Sequence, residues 1–585
     1  MKNSSTEKKW TNNPITTEII RNAFLSAAEE MCESLFRSSY TPIIYEMKDC
    51  AVGLFNEKLE VLGQSTGVPL FLGNLEETVR YAIDYYGGVE NLNDGDIFIL
   101  NDCYISGTHL NDMTVFAPIF YKGEIVGFSA NRAHWLDVGS KDPLAPMDST
   151  SIYQEGIRLG PLKIYDKGEP RSDLIDTICM NSRFSRNARG DLNGQISACR
   201  TGEKRLRSLI DRFGTQTIKS ATQDIFRQTE ELEREVIKNI PAGVYHSEGF
   251  LDDDGTSDDP IHVKVKLTIS KSGEMEIDLA GSNPMVKGST NCGLAQAISG
   301  CRVAYKMLVM PTAPVTGGSF RGLRIKVPEG SIFNAQEPAA CSWYFSHIGL
   351  MIDLIVKCLS EAAPQMSAGA HYGDSMVCYL TGKHPKTGQL YAHDEPTIGG
   401  WGGHAQGDGQ DCLVNVQNGD FKNFPVEILE HHFPILVERY AMRSDSEGAG
   451  KFRGGLGVIR SYRTLANDTH VYLWFERAKM PAWGVLGGKA ALGPSTIIYD
   501  ENGNTQSTKT KLNNFPVGKG WLVDIKTGGG GGFGNPFERD TALVLKDVIS
   551  GYISAERARD CYGVAVADGT VDEKETAKLR KNHAN

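Results

Sequence analysis

Long apolar runs are missing from this sequence. Nowhere do roughly 18 apolar residues follow one another, so no membrane span is predicted. Residues 1–14 lack the apolar core of a secretory signal peptide, and a cytoplasmic location is therefore expected. An excess of positive charge is also missing: 72 acidic residues outnumber 61 basic ones, and the net charge of −11 argues against the basic surface that nucleic-acid binding requires. These absences predict a protein that works without a membrane and without nucleic acid.

Paired cysteines and known nucleotide motifs are absent as well. The 12 cysteines are scattered without a CxxC pair, which favours reduced thiols over disulfides or a cysteine-held zinc ion. The stretch "TGGGGGFGNP" (527–536) lacks the Lys-Ser/Thr of a P-loop and the spacing of a dinucleotide fingerprint. We therefore predict a tight backbone element there. No GxSxG nucleophile elbow appears.

What the sequence does contain is a mixture of helical and strand-like periodicities. Residues 15–38 repeat apolar residues at helical spacing, with Thr16 or Thr17 as the expected cap, and another helix is predicted near 539–560. "DCAVGLFNEKLEVLGQ" (49–64) is typical of a hairpin. Because strands and helices do not alternate cleanly, the predicted fold class is α+β, with antiparallel hairpins and a glycine-rich, β-dominated C-terminal half.

A chain of 585 residues is longer than a single core usually supports, so several structural units are expected. The changes of pattern predict approximate boundaries near 240 and 370. The three predicted units are a metal-site unit with the N-terminal helix and hairpins (1–240), a mixed α/β unit (241–370), and a glycine-rich β unit with a C-terminal helix (371–585).

Four polar residues flank a predicted hairpin in "SGTHLNDMTVFAPIFYKGEIVGFSANRAHWLDVGS". If the hairpin is centred on Gly123, opposed residues have numbers that add up to about 246. Asp112 then opposes His134, and His109 opposes Asp137. Opposed Cβ atoms lie roughly 4.5–5.5 Å apart, so all four side chains would meet at one end of one sheet.

Two histidines and a carboxylate at one point are the ligands of a metal site that suits zinc, manganese or iron. No fourth strong ligand is visible in this segment, which leaves a coordination position for water and favours a catalytic ion. A surface cluster of hydrogen bonds is the alternative. The same ligand set also occurs in non-haem iron oxygenases, so the reaction class stays open.

Two further acids precede the first predicted strand. In "YEMKDCAVGLFN", Glu46 is a candidate general base and Asp49 a candidate additional ligand. The alternative for both is an ordinary loop between a helix and a strand.

The chain resembles the hydantoinase B/oxoprolinase family along about nine tenths of its length. The stretches that carry the resemblance include "GDIFILNDCYISGTHLNDMTVFAPIF", "GFSANRAHWLDVGS", "FRGLRIKVPEGSIFNAQEPAA" and "TGGGGGFGNPFERD". The family includes B-type subunits of N-methylhydantoinases, the C-terminal part of 5-oxoprolinases, an ATP-dependent caprolactamase, and subunits of acetone and acetophenone carboxylases.

The resemblance implies a division of labour between two subunits. A hydantoinase A-type partner would bind ATP and phosphorylate the substrate, and this subunit would receive the intermediate at a divalent metal ion, Zn, Mn or Fe. The implied metal ligands are His109, Asp112 and His134, with Asp49 as the matching upstream acid. Asp137 would not bind the ion but would orient one of the histidines. A hetero-tetramer or larger assembly is expected.

The leading hypothesis is the metal-binding subunit of an ATP-dependent hydrolase that opens a lactam, hydantoin or oxoproline-like ring. A ketone carboxylase subunit of the acetone or acetophenone type is the first alternative. A metal-free scaffold for the ATP-binding subunit is the second.

Overall fold

The computed structural model describes residues 11–582, and it confirms the predicted α+β class. The first ten residues, on which the expectation about a signal peptide mainly rests, lie outside that range. No helix within residues 11–582 has both the length and the apolar character needed to cross a membrane. All twelve cysteines lie inside it and carry free thiols.

The helices of the described chain are α1 (Pro14–Ser38), α2 (Pro42–Tyr45), α3 (Pro69–Leu72), α4 (Leu75–Tyr85), α5 (Cys103–Ser106), α6 (Ser172–Met180), α7 (Ser185–Phe213), α8 (Thr215–Lys238), α9 (Leu294–Val309), α10 (Phe345–Lys357), α11 (Val426–His432), α12 (Thr541–Ile549), α13 (Ala555–Tyr562) and α14 (Glu573–Asn582).

The strands are β1 (Cys50–Asn56), β2 (Val61–Gln64), β3 (Ile97–Leu100), β4 (Asp112–Tyr121), β5 (Glu124–His134), β6 (Leu162–Asp166), β7 (Glu169–Pro170), β8 (Gly243–Leu251), β9 (Ile261–Ile269), β10 (Met275–Asp278), β11 (Leu323–Lys326), β12 (Val377–Lys383), β13 (Leu390–Pro396), β14 (Ile435–Met442), β15 (Val458–Thr464), β16 (Thr469–Trp474), β17 (Ser495–Tyr499), β18 (Thr505–Ser507), β19 (Lys511–Val517), β20 (Leu522–Lys526), β21 (Val566–Ala567) and β22 (Thr570–Val571).

The first sheet has seven antiparallel strands in the order β2-β1-β5-β4-β3-β6-β7. Its central hairpin, β4–β5, is buried along most of its length, with α7 packed on one face. The predicted hairpin 49–64 is confirmed as β1–β2. Asp112 and His134, at the end of this hairpin, are both buried, so that end lies inside the protein.

The second sheet, β11-β10-β9-β8, shares a buried core with the first. That core runs from Ala51 in β1 to Val416 and includes apolar residues of α9 and α10. Two further sheets, β13-β12-β16-β19 and β14-β15-β20-β17-β18, enclose another core. The division of the chain at 240 and 370 stays a prediction.

Two helix predictions are corrected in detail. The side chain of Asn13, not that of Thr16 or Thr17, caps α1 by accepting from the Ile15 amide at 2.9 Å, and Pro14 occupies the first turn. The single helix predicted near 539–560 is two helices, α12 and α13. Gly551 between them has a φ of +73°, which ends helical geometry.

The stretch 527–536 is the tight backbone element that its composition predicts. A Cβ atom on Gly530 would lie 1.9 Å from the carbonyl oxygen of Trp401, and one on Gly454 would lie 1.7 Å from that of Gly530. The amide of Gly530 donates to the Gly455 carbonyl at 3.0 Å. Glycine is required here because neighbouring backbones touch directly.

We expect Gly530→Ala to destabilise the protein by about 1–3 kcal/mol or more, because the added methyl group overlaps a backbone atom that cannot rotate away. Gly160→Ala is the matched control, since a Cβ atom there meets nothing within 4 Å. The apparent melting temperature of each variant, followed by circular dichroism, measures the effect. Equal melting temperatures would contradict the close backbone packing.

Candidate metal centre

The β4–β5 hairpin positions two of the predicted ligands. Asp112 begins β4 and pairs directly with His134, the last residue of β5, so the predicted register is confirmed. The turn at Lys122 and Gly123 has positive φ angles of 52° and 85°. The turn therefore consists of these two residues and is not centred on Gly123, as the sequence predicts. A bulge after Ile119 then shifts the pairing by one residue, so that Asp112 still pairs with His134.

Three side-chain atoms converge at this end of the hairpin. His109 Nε2 lies 3.1 Å from Asp112 Oδ1 and 3.0 Å from His134 Nδ1, and the last two atoms are 3.0 Å apart. All three side chains are buried. At metal–nitrogen distances near 2.1 Å, ligand atoms at right angles lie about 3.0 Å apart, so the triangle has the size of a coordination face.

The ring of His109 is oriented by a backbone carbonyl. Its Nδ1 lies 3.1 Å from the Ser342 carbonyl oxygen, and since a carbonyl only accepts, Nδ1 carries the proton. In the neutral ring, Nε2 then turns a lone pair toward Asp112 and His134. A lone pair facing a carboxylate is repulsive unless a cation or a proton lies between them. This tautomer is the one that a metal ligand needs.

A buried acid holds the segment that contains Ser342. Glu155 accepts from the backbone amides of Cys341 and Ser342 at 3.0 Å and from the Ser149 hydroxyl at 2.7 Å. Two residues further on, the Tyr344 hydroxyl donates to Asp112 Oδ2 at 3.2 Å. The second oxygen of Asp112 thus has its own hydrogen-bond donor, while the first faces the two histidines.

Asp49 lies beside the three converging atoms, as predicted. Its Oδ2 is 3.9 Å from His134 Nδ1, and its backbone carbonyl accepts from the His134 amide at 3.1 Å. Asp394 of β13 is a neighbour that the sequence did not indicate: its Oδ2 is 3.9 Å from the other nitrogen of His134, Nε2. The third sheet therefore contributes a carboxylate to a cluster built mainly by the first.

Two predicted residues do not join the cluster in the described chain. The Asp137 carboxylate accepts from the backbone amide and the guanidinium of Arg183, so it makes an ion pair in place of the expected contact with a histidine. Glu46 ends α2 half-buried, and no described contact links it to the histidines. Its role as a base stays a prediction.

Burial and mutual repulsion shift the pKa values of the acids in this cluster. Burial raises the pKa of Asp394 to about 8, and burial together with the charges of Asp112 and Asp394 raises the pKa of Asp49. Burial also raises the intrinsic pKa of Asp112, but the two imidazoles outweigh it and hold that pKa below its usual range. Burial opposes protonation of both histidines; it lowers the pKa of His134, whereas Asp112 brings that of His109 above its ordinary value.

An orphaned carboxylate oxygen is a second sign that a cation fits. Asp49 Oδ1 is buried and has no hydrogen-bond partner among residues 11–582. Leaving such groups unpaired costs about 1–3 kcal/mol each, and more for a charged group. A divalent ion at the convergence point would be held by His109, Asp112 and His134, with Asp49 adjacent, a set that suits zinc, manganese or iron.

The comparisons with known proteins place the chain among enzyme subunits. The family model described as Hydantoinase B/oxoprolinase matches residues 13–536. The B-type subunit of a putative D-/L-hydantoinase from Pseudomonas sp. (strain NS671) is 30% identical, with 97% of this chain and 98% of that protein covered. The beta-subunit of the Pseudomonas jessenii caprolactamase is 29% identical, with 97% and 99% covered.

Solved structures share the fold along nearly the whole chain. The crystal structure of ATP-dependent caprolactamase from Pseudomonas jessenii matches with a TM-score of 0.91 at 26% identity, covering 98% of this chain and 100% of that one. An acetone carboxylase in a nucleotide-free structure matches with a TM-score of 0.88 at 20% identity, covering 98% and 83%. The second likeness shows the fold alone.

We expect the purified protein to contain close to one zinc, manganese or iron ion per chain, and His109→Ala to lose it, because one vertex of the ligand triangle disappears. His246→Ala, at an exposed position of β8, is the matched control and should retain the ion. Elemental analysis of the folded proteins measures the content. Equal and negligible metal in the wild type and His109→Ala would show that the cluster is a set of hydrogen bonds and not a metal site.

Proposed function

This chain belongs to the hydantoinase B/oxoprolinase family, and we propose that it is the metal-binding subunit of an ATP-dependent hydrolase that opens cyclic amides. One observation carries the proposal: two imidazole nitrogens and a carboxylate oxygen meet within 3.1 Å in a buried site. The relatives that align end to end support the reaction class, since they are a hydantoinase subunit and a caprolactamase subunit. The proposed substrate is a lactam, hydantoin or oxoproline-like ring.

The proposed reaction needs ATP because an unstrained amide is a poor electrophile. Phosphorylation of the carbonyl oxygen removes amide resonance, so that water can add to the carbonyl carbon. The ring C–N bond would then break as the nitrogen takes up a proton, and hydrolysis of the resulting acyl phosphate would release phosphate and the amino acid. The glycine-rich stretch 527–536 is neither a P-loop nor a dinucleotide fingerprint. The family resemblance implies that a hydantoinase A-type partner binds ATP, and the proposal adopts that assignment. The phosphorylated intermediate would pass from that partner to this subunit, within a cytoplasmic hetero-tetramer or larger assembly.

The residues of this chain then have separate roles at the metal centre. His109, Asp112 and His134 would hold the ion, and Asp49 would complete or hydrogen-bond the ligand set. When bound, a divalent ion supplies Lewis acidity and lowers the pKa of coordinated water toward 7. The Ser342 carbonyl fixes the His109 tautomer, and the Tyr344 hydroxyl keeps one oxygen of Asp112 occupied, so that the other faces the ion. Glu46 remains a candidate base.

Carboxylation of a ketone is the second candidate, because the family that the chain resembles also includes subunits of ketone carboxylases. The same three residues would then hold an ion that supplies Lewis acidity for the carboxylation. Labelled bicarbonate separates the two reactions, since only a carboxylase transfers the label into product. A metal-free scaffold for the ATP-binding subunit is the third, and it requires no intact ligand triangle.

With its ATP-binding partner and a panel of ring amides, the wild-type complex should release an amino acid only when ATP is present. We expect His109→Ala to lower this rate by more than about 100-fold, because the ion is lost while the partner is unchanged. His246→Ala should retain the wild-type rate. Product is measured by mass spectrometry, and ATP consumption is measured in parallel.

Each competing function has its own signature in this assay. Label from bicarbonate in the product would establish the carboxylase. Full activity of His109→Ala would establish the scaffold. Failure of the wild-type complex to hydrolyse any ring amide with ATP would overturn the proposed hydrolase.

A further inference from the structure

Asp394 is a buried carboxylate close to the candidate metal centre, but it is not one of the candidate ligands. It lies in the middle of β13, opposite Tyr379 of β12, and is 8% exposed. No described residue donates a hydrogen bond to its carboxylate. The nearest imidazole nitrogen is Nε2 of His134, at 3.9 Å, and that atom also lacks a partner among the described residues.

The direction of Asp394 is fixed by its neighbours in the strand. Side chains alternate between the two faces of a strand, so Glu395 points away from Asp394. Glu395 is held on that other face by Arg460 at 2.7 Å and by the Phe424 amide at 2.9 Å. These buried contacts anchor β13, and Asp394 is therefore directed at the metal centre.

Asp394 faces Nε2 of His134, the ring nitrogen that takes no part in the convergence. The convergence with His109 and Asp112 is through Nδ1 of His134. If Nδ1 binds an ion, the neutral ring must carry its proton on Nε2, which then needs an acceptor. Histidine ligands generally donate this second N–H to a carboxylate, a carbonyl or water. Within residues 11–582, Asp394 is the carboxylate placed to accept it.

We propose that Asp394 is a positioning residue that accepts the Nε2 proton of His134 and thereby fixes this histidine as a metal ligand. The inference rests on the proposed metal centre. The two atoms need to approach by only about 1 Å to reach hydrogen-bond distance. Asp394 thus takes the place that Asp137 has in the prediction from sequence, while Asp137 is engaged by Arg183.

This role predicts opposite effects on metal affinity and on the stability of the metal-free protein. Asp394→Ala should weaken metal binding about 10–100-fold, and Asp394→Asn, which keeps an acceptor oxygen but no charge, should weaken it less. In the metal-free protein, Asp394→Asn should leave the melting temperature unchanged or raise it, because no described residue donates a hydrogen bond to the buried carboxyl group that it replaces. A residue that only supports the fold would lower both quantities.

The experiment measures dissociation constants for zinc and manganese by competition with a chelator, using the full chain. The visible spectrum of the cobalt-substituted protein gives an independent readout, since altered basicity of His134 should shift the absorption bands. Asp468→Asn, an exposed acid in the same region of the third sheet, is the matched control. Asp137→Asn tests the competing carboxylate.

The outcomes separate the two proposals. A wild-type protein that binds neither ion would overturn the metal centre itself. A wild-type protein that binds an ion, with unchanged affinity and cobalt spectrum in Asp394→Ala, would overturn only the role of Asp394. Weaker metal binding in Asp137→Asn, together with wild-type metal binding in Asp394→Ala, would assign the positioning role to Asp137.

Discussion

The antiparallel pairing of β4 with β5 is the constraint on which the rest of this site depends. It places Asp112 opposite His134, and a slip of one residue would turn one of the two side chains to the other face of the sheet. Burial on both faces protects the register, because any slip would also bring polar groups into the core. The sheet thus sets the spacing of two ligand atoms before any other part of the chain contributes.

The cluster at the end of this hairpin destabilises the folded protein when no cation is bound. Asp49, Asp112 and Asp394 are three buried carboxyl groups around two imidazoles, and taking such polar groups out of water is costly unless they are compensated. The surrounding structure maintains the arrangement from several directions. Ser342 and Tyr344 hold His109 and Asp112 from one side, and β13 presents Asp394 from another. An arrangement that is costly without a cation and well supported by its surroundings is the physical signature of a functional site.

The parts of the site that are local in sequence were predictable, and the parts that depend on tertiary contacts were not. His109, Asp112 and His134 lie within one hairpin, so turn position and strand period suffice to bring them together. The same arithmetic fails for Asp137, because the ladder ends at His134 and the chain beyond it turns toward Arg183. Ser342 acts through its backbone carbonyl, which no residue type reveals. Asp394 reaches the site from another sheet, and nothing local in its strand indicates that partner.

The burial of the candidate metal centre affects how the intermediate of the proposed reaction can reach it. The His109 ring is flanked by the rings of Tyr344 and Phe345, with centroids 5.2 and 5.5 Å away, so aromatic side chains cover this histidine. A phosphorylated amide is an activated species that bulk water would destroy, and a water-poor site limits that loss. A hydrolase nevertheless needs one positioned water, and a ligand set of three or four residues leaves room for it. Phosphorylation in one subunit and ring opening in another are thus compatible, provided that the intermediate travels between them without passing through solvent. The buried position of the His-Asp-His cluster is the structural reason to expect such a protected route.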